Sequence, residues 1–213
     1  MHDSAPAADV RILTLGDSYT IGEAVHADER WPMQLAGLLR ARGHIVSDPQ
    51  IVARTGWTTG ELAAGIDAAP PAAPFELVTL LIGVNDQYRG RPSAEYRAEF
   101  RSLLARATGF AGGRADHVIV ISIPDWSVTP FAAGRDRAAI AHGIDVFNAI
   151  NQQETAARGA RYVDVAPISR KAAQRTELIA HDGLHPSAAM YAEWVSLLLP
   201  VALAALGRGT SPG

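Results

Sequence analysis

The chain has 213 residues and a net charge of −3, with 48% hydrophobic and 19% charged residues. This composition is typical of a folded globular protein and excludes the low hydrophobicity and high charge of disordered chains. The 19 lysines and arginines are scattered, so no basic stripe favours a nucleic acid as partner. The absence of cysteine excludes disulfides, thiolate metal sites and cysteine nucleophiles.

The two ends of the chain predict its organisation and location. Residues 1–9 carry no basic segment, and the apolar run at 10–15 is too short for a signal sequence, so we expect a cytoplasmic protein. The apolar stretch at 197–206 falls short of the roughly 20 residues that span a bilayer, which predicts a surface helix and no stable membrane anchor. We predict one domain over residues 9–206, with flexible termini at 1–8 and 207–213, and leave the oligomeric state open.

Short aliphatic runs alternate along the chain with longer segments of helical periodicity. The runs predict five strands, at residues 10–15, 51–53, 77–82, 118–123 and 162–165. Three runs are apolar nearly throughout, as in parallel strands that helices cover on both faces. Apolar stripes with helical spacing begin at Trp31, Tyr96, Ile140 and Met190. This alternation predicts an α/β fold.

Two local patterns predict where helices begin. Thr58 and Glu61 have the spacing of a capping box, in which each side chain accepts a hydrogen bond from the other residue's backbone N–H. Ser93, after an Arg-Pro turn, predicts a helix N-cap.

Polar motifs follow the first three predicted strands directly. They are Gly-Asp-Ser at 16–18, Arg-Thr-Gly-Trp at 54–57 and Gly-Val-Asn-Asp at 83–86. Open α/β sheets bind ligands at the carboxyl ends of their strands, so we expect Ser18, Gly56 and Asn85 to converge there. We expect Asp17 and Asp86 to be structural residues that hydrogen-bond the loops around the site, and not to transfer protons in catalysis.

A fourth motif, Asp-Gly-Leu-His-Pro at 182–186, precedes the last predicted helix. Its spacing puts the Asp182 carboxylate and the His185 imidazole on one turn, where the carboxylate can accept a hydrogen bond from the ring. Together with Ser18 these residues supply a nucleophile, a general base and an orienting acid. The Gly56 N–H and the Asn85 amide would stabilise an oxyanion.

The four motifs together resemble the SGNH hydrolase family, also called GDSL-type lipases and esterases, whose blocks contribute Ser, Gly, Asn and His. Their order and spacing match across almost the whole chain. Tyr19 stands where the family name expects leucine, a departure that concerns the shape of the pocket and leaves the catalytic groups intact.

The resemblance implies a three-layer α/β/α, flavodoxin-like SGNH hydrolase fold with a five-stranded parallel sheet of order 2-1-3-4-5. It implies that a small-molecule ester or thioester is hydrolysed through an acyl-enzyme, without a metal or an organic cofactor. It also implies an oxyanion hole that consists of the Ser18 N–H, the Gly56 N–H and the Asn85 side chain.

Aromatic residues on loops near the same edge predict a substrate pocket. They are Trp57, Tyr88, Trp126 and Phe131, with Arg89 beside them. The segment 124–135 is long enough to act as a partial lid. The sequence does not choose among simple esters, acetylated sugars, lysophospholipids and thioesters.

Two other functions and a second base remain as alternatives. In a metal-dependent phosphoesterase, two divalent ions would be ligated by Asp17, Asn85, Asp86, Asp182 and His185. The absence of an Asp-x-His pair before the first motif counts against it. A non-catalytic ligand-binding module is the second alternative. The presence of the serine, asparagine and histidine together counts against it, because such a module would not need all three. His181 could compete as the base, but it precedes the aspartate.

Overall fold

The computed structural model describes residues 9–207 of the chain. Its five strands are β1 (Ile12–Gly16), β2 (Gln50–Ala53), β3 (Leu77–Leu81), β4 (Val118–Ile121) and β5 (Arg161–Val163). They form one parallel sheet of order β2-β1-β3-β4-β5, which confirms the predicted order. The predicted flexible segment 1–8 lies outside the described residues, as does the predicted tail from residue 208 onward.

The three central strands are apolar nearly throughout and lack the alternation of apolar and polar residues that a half-buried strand shows. Every residue of β1, β3 and β4 is buried, because helices cover both faces of the sheet. The edge strands β2 and β5 are partly exposed, and β5 is only three residues long. The first predicted strand starts too early, since Val10 forms only an isolated bridge with Val46.

Eight helices surround the sheet in the described residues. They are α1 (Ser18–Ile21), α2 (Trp31–Ala41), α3 (Thr59–Ala68), α4 (Val84–Tyr88), α5 (Ser93–Phe110), α6 (Arg137–Arg158), α7 (Ala166–Arg170) and α8 (Ala188–Leu206). Helix α2 packs against α8, whereas α3 and α6 both pack against α5, which produces the two outer layers. These layers and the sheet form the predicted three-layer α/β/α fold.

Of the two predicted helix starts, the one at Thr58 is confirmed and the one at Ser93 is wrong by one residue. Thr58 caps α3, its N–H donates to Glu61 Oε2 at 2.8 Å, and the capping box is confirmed. Ser93 is instead the first residue of α5, and Pro92 occupies the cap position. Proline has no side-chain acceptor, so no side chain caps the start of α5.

Helix α8 is the one helix in the described residues that is long and apolar enough to cross a membrane by length and composition. Its inner face is part of the protein core, where Trp194, Leu198 and Ala202 have no exposed surface. Leu197 on the outer face is 40% exposed. The predicted surface helix at 197–206 is therefore half of a longer helix whose hydropathy reflects its packing against α2.

Candidate active site

Ser18 is the first residue of α1 and follows β1 after a single intervening residue. That residue, Asp17, caps the helix, and its carboxylate accepts a hydrogen bond from the Tyr19 N–H at 3.0 Å. The turn requires Gly16, because a Cβ there would lie 2.2 Å from Thr20 Oγ1 and 2.5 Å from the backbone of β3. Ser18 is thereby presented at the carboxyl edge of the sheet, where it lines a cavity.

His185 and Asp182 lie on the loop before α8, and a hydrogen bond joins their side chains. His185 Nδ1 is 2.5 Å from Asp182 Oδ2, while Asp182 Oδ1 accepts the N–H groups of Leu184 and His185, each at 3.0 Å. Burial opposes ionisation, but these hydrogen bonds lower the pKa of Asp182 below its ordinary value. The ionised carboxylate favours the proton on Nδ1, which leaves Nε2 as an acceptor.

Ser18 and His185 line the same cavity. In the described part of the chain, the side chain of His185 forms a hydrogen bond with Asp182 and none with Ser18. Such contacts between nucleophile and base are often loose before a substrate binds. The Tyr19 ring packs edge-on against the imidazole, with ring centroids 5.6 Å apart, and supports its orientation.

Gly56 and Asn85 border this cavity from the next two strand ends. Gly56 has a φ of +86°, in the left-handed region that favours glycine. Asn85 lies on α4, and its Nδ2 donates to the Trp57 carbonyl oxygen at 2.9 Å. One amide hydrogen of Asn85 is thus left for another acceptor, since the amide carries two.

The turn before α4 depends on a second glycine, Gly83, which has a φ of +124°. A Cβ at this position would lie 2.4 Å from the hydroxyl oxygen of Tyr96. This close approach lets the chain turn sharply from β3 into α4 and so brings Asn85 to the cavity.

The two remaining motif aspartates are buried, as expected for structural residues. Asp86 accepts hydrogen bonds from the Thr59 N–H (3.0 Å), Thr59 Oγ1 (2.8 Å) and Arg91 Nη1 (2.9 Å), and so ties α4 to the start of α3. Burial raises the pKa of Asp86 against these hydrogen bonds. Burial also raises the pKa of Asp17 to about 8, although the Tyr19 N–H opposes this shift.

Two aspartates that the phosphoesterase alternative requires as metal ligands are hydrogen-bonded to other side chains. Asp86 is bonded to Thr59 and Arg91, and Asp182 to His185. Among residues 9–207, no group of three or more His, Asp or Glu side chains is arranged to hold a metal ion.

The cavity has a volume of about 200 Å³ and is bordered by three of the four predicted aromatic residues, Tyr88, Trp126 and Phe131. The fourth, Trp57, is not among its lining residues. Its ring packs against α3, since a Cβ at Gly65 would lie 2.3 Å from the indole. Arg89 does not line the cavity either, and its Nη2 donates to the Gly56 carbonyl oxygen at 2.7 Å.

Sequence reasoning connected Tyr19 with the shape of the pocket but missed Val84 and Leu184 as lining residues. Val84 and Leu184 are the immediate neighbours of Asn85 and His185. Adjacency was therefore the signal that could have found them. The competing histidine, His181, is exposed and lines a different groove.

The segment 124–135 forms one wall of the cavity through two short 3₁₀ turns, Trp126–Val128 and Pro130–Ala132. The Phe131 N–H donates to the Gly183 carbonyl oxygen at 3.0 Å, which joins this wall to the loop of the histidine. Arg170 Nε donates to the buried Asp125 carboxylate at 2.8 Å. The segment predicted as a partial lid is thus tied to the rest of the protein at several points.

The comparisons with known proteins agree with this fold. The model of the GDSL-like lipase/acylhydrolase family matches residues 14–193. The comparison with curated proteins gave no match.

Three solved structures illustrate the similarity. TesA has a TM-score of 0.68 at 19% identity, covering 92% of this chain and 99% of its own. The psychrotrophic esterase EstA from Pseudoalteromonas sp., inhibited by monoethylphosphonate, has a TM-score of 0.66 at 17% identity, with coverages of 92% and 98%. Axe2, an acetylxylan esterase from Geobacillus stearothermophilus, has a TM-score of 0.65 at 19% identity, with coverages of 93% and 94%.

At these identities the structural likeness establishes the shared fold, while the family match extends over most of the chain, including all four motifs. The chain therefore belongs to the GDSL-like lipase/acylhydrolase family and is a carboxylic ester hydrolase of the SGNH type.

Proposed function

We propose that this hydrolase is a serine esterase in which Ser18 is the nucleophile, His185 the general base and Asp182 the residue that orients the base. The observation that carries the proposal is the 2.5 Å contact between His185 Nδ1 and Asp182 Oδ2, in a histidine that shares its cavity with Ser18. The remaining ring nitrogen is then the acceptor that a serine hydroxyl needs.

The reaction has two steps. In the first, Ser18 Oγ bonds to the ester carbonyl carbon while its proton passes to His185 Nε2. The tetrahedral intermediate then expels the alcohol, which takes that proton and leaves an acyl-serine. In the second, water gives a proton to the same nitrogen, attacks the acyl carbon and releases the carboxylic acid, and Ser18 regains its proton.

Three donors would stabilise the negative charge on the carbonyl oxygen in each step. They are the N–H groups of Ser18 and Gly56 and the free amide hydrogen of Asn85. Their positions at three adjacent strand ends support this role, because rigid elements fix the donors before the charge develops.

We propose a short acyl group for the substrate. The cavity of about 200 Å³ is smaller than the roughly 300–1,000 Å³ of typical ligand pockets. Apolar side chains such as Val84 and Leu184 border it, which suits a small alkyl group. The similar fold of Axe2, an acetylxylan esterase, is consistent with acetyl esters as the first compounds to test.

The experiment that tests the proposal is the Ser18→Ala variant assayed with p-nitrophenyl acetate. We expect kcat to fall by several orders of magnitude with the fold intact, because the attacking atom is lost. Ser196→Ala, which removes an exposed hydroxyl on α8, is the matched control and should leave kcat unchanged.

A phosphonate ester provides a second measurement on the wild-type protein. We expect it to inactivate the enzyme and to label Ser18, identified by peptide mapping. Retention of more than about a tenth of kcat in Ser18→Ala, or labelling elsewhere, would contradict the nucleophile assignment.

A further inference from the structure

We infer that Arg89 is a positioning residue of the oxyanion hole, because its guanidinium holds the peptide group between Gly56 and Trp57 and so anchors the turn that presents the Gly56 N–H. The inference rests on the proposed function, in which that N–H stabilises the oxyanion. Arg89 does not line the cavity, so this role is distinct from contact with the substrate.

No side chain packs closely against Gly56 on its Cβ side. A Cβ added to this residue would meet one atom within 4 Å, the Arg89 Nη2 at 4.0 Å, so the space beside it is open. Glycine has more backbone freedom than any other residue, and Gly56 adopts a φ of +86°. The orientation of this turn therefore depends on hydrogen bonds, one of which closes the turn itself, from the Trp57 N–H to the Arg54 carbonyl oxygen at 3.2 Å.

Two of these hydrogen bonds come from one face of α4. Asn85 Nδ2 donates to the Trp57 carbonyl oxygen at 2.9 Å, and Arg89 Nη2 donates to the preceding carbonyl, that of Gly56, at 2.7 Å. Asn85 and Arg89 are four residues apart, so they lie side by side on the helix. The short helix thus binds two consecutive peptide groups of the turn.

Glu61 fixes the guanidinium from the other side. Arg89 Nη1 lies 3.2 Å from Glu61 Oε2, the oxygen that also accepts the Thr58 N–H at the start of α3. Both side chains are about half exposed, at 48% and 47%, so the ion pair itself contributes little to stability. Its consequence is geometric, because it directs the guanidinium fork at the Gly56 carbonyl.

The charge on the oxyanion exists only in the transition state and the tetrahedral intermediate. A misdirected Gly56 N–H should therefore weaken transition-state binding and leave substrate binding unchanged. For Arg89→Met we expect kcat to fall about tenfold, with KM within about twofold of the wild type. A residue that contacts the substrate would instead change KM.

The test measures kcat and KM of Arg89→Met with p-nitrophenyl acetate, beside Arg54→Met as the matched control. Arg54 is an exposed arginine of the same turn whose side chain forms no hydrogen bond or ion pair in the described structure. The control removes the same charge and should keep the wild-type kcat. Glu61→Gln keeps an acceptor for the Thr58 N–H but loses the ion pair, and should lower kcat about threefold.

Three results would overturn the inference: a kcat of Arg89→Met within twofold of the wild type, an equal loss in Arg54→Met, or a change confined to KM. Thermal unfolding of each variant separates loss of fold from loss of positioning. Asn85→Ala in the same assay separates the inference from the proposed function. If Asn85→Ala is impaired and Arg89→Met is not, the inference alone fails; if Asn85→Ala is fully active, the oxyanion hole itself is wrong.

Discussion

At the scale of single residues, hydrogen bonds fix the side chains of His185 and Asn85. Asp182 holds His185, and Asn85 is held by the Trp57 carbonyl. These contacts cost conformational freedom during folding, so little reorganisation remains when charge develops during the reaction. The consequences for Asn85 and Asp17 can be tested separately.

Asn85→Ala should lower kcat by about 10²–10³ with little change in KM, because the lost amide hydrogen acts on the oxyanion and not on the ground-state ester. Asn85→Asp should be at least as damaging, since it places a negative charge beside the oxyanion. Steady-state kinetics, with circular dichroism as the folding control, provide the measurement. An unchanged kcat in the folded alanine variant would remove Asn85 from the site.

Asp17→Asn should make stability less dependent on pH. The pKa of Asp17 is about 8 in the folded protein, against 3.8 for an ordinary aspartate. Between these values the folded state keeps a proton that the unfolded state has lost. A rise in pH therefore lowers the free energy of unfolding by up to about 1.4 kcal/mol per pH unit. The loss is complete above about pH 8, whereas asparagine cannot ionise.

Urea unfolding of both proteins at about pH 5, 7 and 9 measures this difference. Asparagine can still accept the Tyr19 N–H, so the helix cap is preserved. We expect the stability of Asp17→Asn relative to the wild type to rise with pH. A difference that stays constant over this range would show that the buried carboxyl does not hold its proton.

At the scale of elements, the start of α1 and the wall segment separate two cavities. Tyr19, Trp126 and Leu184 line both the cavity of Ser18 and His185 and a second one of about 10 Å³, which Met190 also borders. The Tyr19 backbone is fixed by hydrogen bonds from Trp31 Nε1 and the Tyr191 hydroxyl, each at 3.1 Å. Tyr19 is thus shared by the walls of the two cavities.

Tyr19→Leu, which restores the residue that the family name expects, should join the two cavities and admit longer acyl chains. We expect kcat/KM for butyrate and hexanoate esters to rise relative to acetate, by about fourfold for each methylene that becomes buried. A panel of p-nitrophenyl esters measures this preference. Tyr162→Leu on β5 is the control. The same dependence of kcat/KM on acyl length in both variants would show that Tyr19 does not separate the two cavities.

At the scale of the whole molecule, α8 connects the site to the core. Trp194 is fully buried, and its ring contacts those of Tyr19 and Tyr191, with centroids 6.4 and 5.1 Å away. The aromatic cluster therefore supports the tyrosine that borders both Ser18 and His185. Trp194 Nε1 is buried without a hydrogen-bond partner in the described structure.

Trp194→Ala should lower the free energy of unfolding by about 3–5 kcal/mol, because it leaves a large cavity in the core. Trp194→Phe keeps most of the ring and removes the unpaired N–H, so it should cost clearly less. Urea unfolding at one pH compares both variants with the wild type. Similar losses in the two would contradict the assignment of the loss to the volume of the side chain.

The strand order of the sheet could be predicted from the family resemblance, and the strand-end positions of Ser18, Gly56 and Asn85 could be predicted from local patterns. Apolar runs mark buried strands, and the residues that follow them must lie at the carboxyl edge. The spacing of Asp182 and His185 was enough to predict their contact, because both lie on one turn.

The three-dimensional packing determines how the surrounding side chains are used. It directed the Trp57 ring onto Gly65, placed Arg89 on the Gly56 carbonyl and made α8 part of the core. These outcomes depend on packing between segments that are distant in the sequence, where side chains compete for the same space and the same acceptors. Periodicity reports which face of an element is buried, but it carries no information about which neighbour that face meets.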